Sequence, residues 1–249
     1  MVKFFDVNCR IGRSRVQPRG TIESADDLLK EMDFFGIERA LVYHAMAREF
    51  EPVEGNEALM REIRGHDRLV PCWTLPAPDA RGPFDVREYI ARAVDAGVRA
   101  VRIFNAPTEH NFPLTRWSAG TILEPLAERR MPLILEAEGI NWDHVHNVCN
   151  EFPTLPVIVA RPKYSEARHI FSLFDRVENL YIEISWFHVH RGIEEVVERF
   201  GAGRLLFGTG MPLFSPSVAI GMVMYAGVSD DEKTQIAGQN LQELLDGVR

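Results

Sequence analysis

The sequence predicts a (β/α)8 barrel, and two observations lead to that prediction. Short apolar runs of strand type alternate eight times with stretches that have apolar residues at helical spacing. No low-complexity linker interrupts this alternation along the 249 residues. One barrel of this kind takes about 250 residues. We therefore expect residues 1–249 to form a single α/β domain.

The predicted strands are apolar runs with β-branched and aromatic residues. They are residues 2–9, 39–43, 68–74, 98–104, 132–137, 155–160, 180–185 and 204–208. Most connections between strands and helices are short, but residues 76–83 and 106–119 are longer and rich in proline. In such a barrel the carboxyl ends of all strands meet at one face, where the residues of a functional site collect. We expect the two long connections to lie over that face.

The first predicted helix has a defined start and stop. Ser24 followed by Asp27 is typical of a helix N-terminus, because each side chain can bond a free backbone amide. Leu28 and Met32 follow at helical spacing, and Gly36 favours an end there. The later predicted helices are residues 56–64, 84–96, 121–130, 142–151, 165–174, 192–200, 217–225 and 230–245.

The bulk composition excludes several classes of protein. A hydrophobic share of 46% with 26% charged residues is that of an ordinary globular protein. The net charge of −8 argues against nucleic acid or an anionic membrane as a general partner. The three cysteines form no CxxC pair, so neither a disulfide framework nor a cysteine zinc site is indicated.

The chain start and the length of its apolar runs predict a cytoplasmic location. The first ten residues lack the long apolar core of a signal peptide. No run approaches the roughly 20 apolar residues of a membrane helix.

Landmarks along nearly the whole chain carry a family resemblance. They are residues 6–10 (DVNCR), 55–58 (GNEA), 130–136 (RMPLILE), 152–161 (FPTLPVIVAR), 180–185 (LYIEIS), 204–212 (RLLFGTGMP) and 236–245 (IAGQNLQELL). Their order and spacing resemble the amidohydrolase-related (amidohydrolase 2) family of metal-dependent hydrolase barrels. The resemblance implies the barrel fold and hydrolase or decarboxylase chemistry at the C-terminal face.

The resemblance also implies where a catalytic metal would lie, and this chain departs from the pattern there. Active members generally bind a divalent metal with two histidines on the first strand, others on the fifth and sixth, and an aspartate on the eighth. The matching positions hold Asn8, Arg10, Glu136, Arg161 and Gly210. Catalytic zinc takes about three imidazole or carboxylate ligands and one water, which this set does not offer.

Arginine at two of these positions opposes a bound cation. A guanidinium does not deprotonate in proteins, so Arg10 and Arg161 keep a positive charge where the metal would lie. Two like charges about 4 Å apart repel by about 4 kcal/mol at an effective dielectric constant near 20. The sequence therefore predicts no metal at this site and no other cofactor.

The replacement residues suggest an anion site instead. Alternation along the first strand sends Asp6, Asn8 and Arg10 to one side, which we expect to be the interior. Two guanidiniums converging on one cavity suit a carboxylate or phosphate, because each offers a planar fork of donors. Arg10 and Arg161 are the candidate anion clamps, and Asn8 and Arg102 are candidate orienting groups.

Glu136 has two interpretations. As a general base, it would have a pKa set by the neighbouring arginines. As a structural residue, it would pair with Arg10 or Arg161 and form an ionic plug in the space left by the metal. The two roles are compatible.

Other side chains near predicted strand ends are weaker candidates for substrate binding. His44 closes the second strand and either faces the pocket or caps a helix. Lys163 follows the sixth strand and acts as a base or nucleophile, or simply faces solvent at a helix start. Trp186 and the His188–His190 pair follow the seventh strand, and both histidines can be aimed inward as ligands of a replacement metal site.

Three functional hypotheses follow. The first is a metal-free family member that binds a small carboxylate at the C-terminal face and carries out metal-independent hydrolase or lyase chemistry. The second is a catalytically inactive relative that acts as a binding or scaffold protein. The third is a metallohydrolase that uses His188, His190 and Glu136. Many barrels of this family assemble, so a homo-oligomer is compatible with the resemblance, although no interface can be located in the sequence.

Overall fold

The computed structural model describes residues 2–15, 22–78 and 85–249. These residues form eight parallel strands in the order β1 to β8, and helices lie between successive strands. The strands are β1 (Phe4–Ile11), β2 (Ile37–His44), β3 (Leu69–Thr74), β4 (Ala100–Ile103), β5 (Leu133–Glu136), β6 (Val157–Ala160), β7 (Leu180–Glu183) and β8 (Leu205–Leu206). The predicted (β/α)8 barrel is therefore confirmed.

The helices cover the outside of the strands. They are α1 (Ala25–Phe35), α2 (Ala45–Glu49), α3 (Pro52–Glu62), α4 (Val86–Asp95), α5 (Arg116–Arg129), α6 (Trp142–Glu151), α7 (Ala167–Phe174), α8 (Gly192–Phe200), α9 (Pro216–Met224), α10 (Asp230–Thr234) and α11 (Asn240–Asp246). None of them has the length and apolarity needed to cross a bilayer, as far as the described ranges extend.

Several element bounds differ from the sequence prediction. Helix α2 was not predicted, and α3 begins four residues early because Glu51 caps it and Pro52 occupies its first position. The predicted final helix is broken by a π-helical turn at Gln235–Gln239. Residue 84, the start of the third predicted helix, and residues 79–83 of the long connection lie outside the described residues.

The barrel closes between β1 and the segment that follows β8. The Val7 amide donates to the Phe207 carbonyl at 3.0 Å, and the Arg10 amide donates to the Met211 carbonyl at 3.0 Å. These bonds bring the end of β1 beside residues 207–211, so the first and last strand ends contribute to one site.

A bulge in β1 changes which side chains face the interior. Asp6 is opposite Ala40 and Cys9 is opposite Val42, so β1 carries one extra residue between these pairs. The Asp6 carboxylate accepts from the Asn8 amide at 2.9 Å. It also accepts from the hydroxyl of Thr209 at 2.5 Å. Strict alternation placed Asp6 beside Asn8 and Arg10, but the bulge turns its carboxylate to the β8 side.

Two apolar layers hold the strands in place. The larger layer lies between strands and helices and includes Cys9, Ile11 and Phe207. The smaller layer fills the barrel interior and includes Phe5, Val7, Leu41, Tyr43, Cys72, Ala100, Phe104, Ile134, Ile158, Ala160 and Leu206. The interior is therefore packed, and polar side chains gather only toward the carboxyl ends of the strands.

Candidate functional site

Glu136, the last residue of β5, is held by two guanidiniums. Arg161 donates to its Oε2 from Nε at 2.8 Å and from Nη2 at 2.6 Å. Arg102 donates to its Oε1 from Nη2 at 3.1 Å. The Glu136 side chain is only 4% exposed. Both carboxylate oxygens are therefore engaged in charge-assisted hydrogen bonds.

The arginines keep Glu136 ionised. Burial alone raises the pKa of a carboxyl group, but the positive charges of Arg161, Arg102 and Arg48 outweigh burial and lower the pKa of Glu136 below its ordinary value. Burial likewise opposes the charge of Arg161, and Glu136 reverses that effect and raises the pKa of Arg161. Each group thus stabilises the charged form of the other.

Asn8 connects this ion pair to a second carboxyl group. Its Oδ1 accepts from Arg102 at 3.3 Å from Nη1 and 3.2 Å from Nη2. Its Nδ2 donates to Oε2 of Glu183 at 3.1 Å. Because one side of the amide accepts and the other donates, the two neighbours fix its orientation.

Glu183, the last residue of β7, is a site residue that the sequence did not single out. Its Oε2 also accepts from the backbone amide of Arg161 at 3.0 Å and from the hydroxyl of Ser185 at 3.0 Å. Burial, with a further contribution from Asp6, raises the pKa of Glu183 to about 7. The available signal was a carboxylate at the end of an apolar strand run, which is unusual for a buried position.

Among the described residues of the site, Arg10 and Arg102 both have a buried Nε without a partner, and Arg10 makes fewer hydrogen bonds. Its Nη1 donates to the hydroxyl of Ser14 at 3.3 Å, and that hydroxyl in turn contacts Glu49. Its Nε is buried and has no hydrogen-bond partner among the described residues. Nor does any carboxylate of the described ranges lie within salt-bridge distance of Arg10. Arg10 is therefore the guanidinium least committed to the protein.

The side chains enclose a small cavity at the C-terminal face. It is lined by Asn8, Arg10, Tyr43, Arg161 and the segment Gly210–Leu213. The free volume is about 10 Å³. That is room for about one water molecule. A larger ligand requires the segment Gly210–Leu213 or the side chain of Arg161 to move.

Two arginines near the cavity, Arg102 and Arg48, stack on aromatic rings. Arg102 is fully buried and lies 4.0 Å from the ring centre of Tyr43. Arg48, on the unpredicted helix α2, lies 4.7 Å from the ring centre of Phe104. Arg48 also donates from Nε to Glu109 at 2.6 Å. A guanidinium that stacks on an aromatic face gains a cation–π attraction, which offsets part of the cost of its burial.

The structure places His44 at a helix start. Its Nδ1 accepts from the amide of Met46 at 3.1 Å and so caps α2. Its Nε2 lies 3.2 Å from Glu62. Both ring nitrogens are engaged and His44 does not line the cavity, so its placement corresponds to the capping alternative.

Four other predicted side chains lie outside the cavity lining. Lys163 is exposed at the start of a 3₁₀ turn, which corresponds to the solvent-facing alternative. Trp186 is 37% exposed and its ring packs edge-to-face on Phe214 at 4.5 Å. His188 and His190 are both exposed.

The side chains present do not fit a divalent metal ion. The matching positions offer one carboxylate, already bound to two arginines, and one amide oxygen bound to Arg102. Within residues 2–15, 22–78 and 85–249, no three histidine, cysteine, aspartate or glutamate side chains form a group that could hold a metal. The proposed ligand set of His188, His190 and Glu136 is not assembled.

Gly210 stands where the family resemblance implies the eighth-strand aspartate, and its backbone and surroundings favour glycine. Gly210 has φ +69°, and a Cβ there would lie 2.8 Å from the Phe214 ring. An aspartate at this position would therefore be strained and would displace the aromatic ring.

The family model described as amidohydrolase matches residues 17–246. The chain belongs to the amidohydrolase family. No curated protein sequence matches this amidohydrolase-family chain.

Solved structures with the same fold are distant in sequence. An uncharacterised TIM-barrel protein from Bordetella bronchiseptica is 17% identical, with a TM-score of 0.78 and 99% of each chain covered. A 2,6-dihydroxybenzoate decarboxylase, in complex with 2,6-dihydroxybenzoate, is 14% identical, with a TM-score of 0.78, 99% of this chain and 100% of that chain covered. A dihydroxybenzoic acid decarboxylase from Polaromonas sp. JS666, with manganese and 2-nitroresorcinol bound, is 13% identical, with a TM-score of 0.77, 99% of this chain and 97% of that chain covered. At these identities the likeness shows the fold alone.

Proposed function

We propose that this amidohydrolase-family barrel binds a small carboxylate at its C-terminal face and does so without a catalytic metal. The observation that supports the proposal best is Arg10, which lines the cavity with a buried Nε that has no partner in the described chain. A buried donor without a partner costs about 1–3 kcal/mol or more when charged, and an anion would supply the missing acceptor.

The charges around the cavity favour an anion. Arg102 and Arg161 share the single negative charge of Glu136, and Arg48 is matched by Glu109. Arg10 adds a further positive charge that is opposed only indirectly, through Ser14, by Glu49. The cavity is therefore electropositive within a protein of net charge −8.

The relatives indicate which anion to test first. The solved decarboxylase complex holds 2,6-dihydroxybenzoate, which is an aromatic carboxylate. A carboxylate matches the planar fork of a guanidinium and accepts two parallel hydrogen bonds. We therefore propose an aromatic or similarly small carboxylate as the ligand class, with Arg10 as the main clamp and Asn8 and Arg161 beside it.

Binding is better supported than general-base catalysis by Glu136. A carboxylate with a lowered pKa and two guanidinium partners is a weak proton acceptor. The paired charges and the small cavity also favour the second candidate, an inactive relative whose former metal site is filled by an ionic plug. The two candidates differ in one measurable property, which is ligand affinity.

The test is a calorimetric titration with benzoate, using benzamide as the neutral analogue of equal shape. We expect benzoate to bind the wild type and benzamide not to bind. Arg10→Ala should lower benzoate affinity about 10- to 100-fold, as expected for the loss of a charged hydrogen-bond pair. Arg13→Ala removes an exposed guanidinium just after β1 and should leave affinity unchanged. Equal affinities in Arg10→Ala and the wild type would overturn the proposal.

A further inference from the structure

Glu183 lies beside the proposed site, and its carboxyl group is closely surrounded by other residues. It is fully buried and does not line the ligand cavity. Gly208, just after β8, lies against it: a Cβ at this glycine would be 2.6 Å from Cδ and 2.7 Å from Oε1 of Glu183. Any side chain at position 208 would displace the carboxyl group.

This carboxyl group holds two residues that do line the cavity. It accepts from Nδ2 of Asn8 at 3.1 Å, which leaves Oδ1 of Asn8 to face Arg102. It also accepts from the backbone amide of Arg161 at 3.0 Å. Both donors bind the same oxygen, Oε2, while the other oxygen, Oε1, accepts from the backbone amide of Ser185. An amide side chain has a single acceptor oxygen, so it would turn a donor either toward Asn8 and Arg161 or toward the Ser185 amide.

The backbone of Arg161 needs such support. Its φ is +56°, in the left-handed region that is costly for residues with a side chain. Conformations of this kind persist where the surroundings enforce them. The bond to Glu183 fixes the backbone at the point from which the Arg161 guanidinium reaches Glu136.

We propose that Glu183 is the positioning residue of the anion site. It orients the Asn8 amide and holds the Arg161 backbone so that the Arg161 guanidinium stays beside the cavity. This inference rests on the proposed anion site for its effect on affinity, but its effect on Arg161 can be measured without any ligand.

The test compares Glu183→Gln and Gly208→Ala with the control Gly203→Ala. Glu183→Gln keeps the size of the side chain but replaces one acceptor with a donor. Gly208→Ala leaves Glu183 in the sequence and forces its carboxyl group to move. Gly203→Ala makes the same chemical change at a nearby glycine with open space around it. The two test variants act from different residues, so the inference stays testable if one of them does not fold.

Two readouts decide the outcome. The first is hydrogen exchange of the Arg161 Nε–H group by ¹⁵N NMR, assigned by its loss in Arg161→Lys. The second is benzoate affinity. We expect both test variants to exchange about tenfold faster and to bind benzoate about tenfold more weakly, whereas Gly203→Ala matches the wild type.

The possible results separate the two proposals. Unchanged Arg161 exchange in folded Glu183→Gln and Gly208→Ala would overturn the positioning role, even with a lowered unfolding temperature, because packing alone explains that loss. No benzoate binding by the wild type would remove the anion site, while Arg161 exchange would still decide the role of Glu183.

Discussion

At the scale of single residues, guanidinium groups occupy positions where the family resemblance implies metal ligands. Arg161 and Arg102 neutralise Glu136 through three hydrogen bonds of 2.6 to 3.1 Å. A buried ion pair of this kind adds little net stability compared with apolar residues, but removing one partner is costly because the other charge stays buried.

Replacing Glu136 with glutamine should therefore destabilise the protein by about 3–5 kcal/mol at neutral pH. The lowered pKa of Glu136 gives the pH dependence. Its stabilising effect is complete above the unfolded pKa of about 4.3 and is lost as pH falls through the folded value. The difference in the free energy of unfolding between the wild type and Glu136→Gln, measured by urea unfolding, should therefore become smaller below about pH 4.

The control for this measurement is Glu138→Gln, an exposed carboxylate two residues away. It should differ from the wild type by less than about 0.5 kcal/mol at any pH. A stable Glu136→Gln protein with an unchanged urea midpoint would show that the arginines do not depend on this carboxylate.

Glu183 should produce the opposite pH dependence. Its folded pKa of about 7 lies above the unfolded value, so between these values the folded state holds a proton that the unfolded state has released. The contribution of Glu183 to the free energy of unfolding therefore declines as pH rises toward about 7, by on the order of 3 kcal/mol in total.

Glu183→Gln removes this decline. Urea unfolding between about pH 5 and about pH 8 should show the wild type losing stability relative to the variant as pH rises. Glu178→Gln, exposed near the start of β7, serves as the control. Parallel stability curves for wild type and Glu183→Gln would contradict the raised pKa.

At the scale of elements, strand ends and their capping bonds set where each side chain points. The β1 bulge, fixed by the bond from Asn8 to Asp6, places Asn8 and Arg10 in the cavity together. Helix α2 brings Arg48 over Phe104 and begins at His44. Local backbone bonds thus determine the composition of the site.

The role of His44 is testable at this scale. His44→Ala should cost about 1 kcal/mol of stability, because the α2 cap is lost. Benzoate affinity should not change, since both ring nitrogens are engaged and His44 does not line the cavity. The exposed His190→Ala is the matched control and should change neither quantity. Thermal unfolding and calorimetry measure the two effects, and a tenfold loss of affinity in His44→Ala would favour the substrate-binding alternative.

The sequence predicted elements accurately where a periodic apolar pattern determines the structure. It predicted them less well where the structure depends on tertiary contacts. The eight strands were predicted from apolar runs, and the gathering of Asn8, Arg102, Glu136 and Arg161 follows from their places near strand ends. Helix α2 was not predicted because it has only five residues and because its N-cap, His44, is not among the residue types preferred at that position. The start of α3, which has Glu51 as its N-cap and Pro52 at its first position, was also predicted four residues too late.

The positioning of Glu183 could not be predicted from sequence. Its importance depends on Gly208 across the β7–β8 pair and on the left-handed backbone of Arg161. A positive φ at an arginine is uncommon and has no signature in the sequence. The apolar runs of β7 and β8 are too short to show which residues lie opposite each other.

At the scale of the whole molecule, an acidic barrel surrounds a cavity rich in arginine. The chain shares its fold with a decarboxylase that was solved with manganese bound, and it collects Arg10, Arg48, Arg102 and Arg161 near the carboxyl ends of its strands. Positive charge supplied by fixed side chains would attract an anionic ligand and repel a divalent cation.

The most direct test of this account is the metal content per chain, measured by elemental analysis after purification without chelators and again after soaking in zinc or manganese followed by dialysis. We expect almost no retained metal in either sample, because Asn8 and Glu136, the possible donors at the expected ligand positions, are bound to arginines. About one metal ion per chain, retained through dialysis and lost in Glu136→Gln, would contradict it.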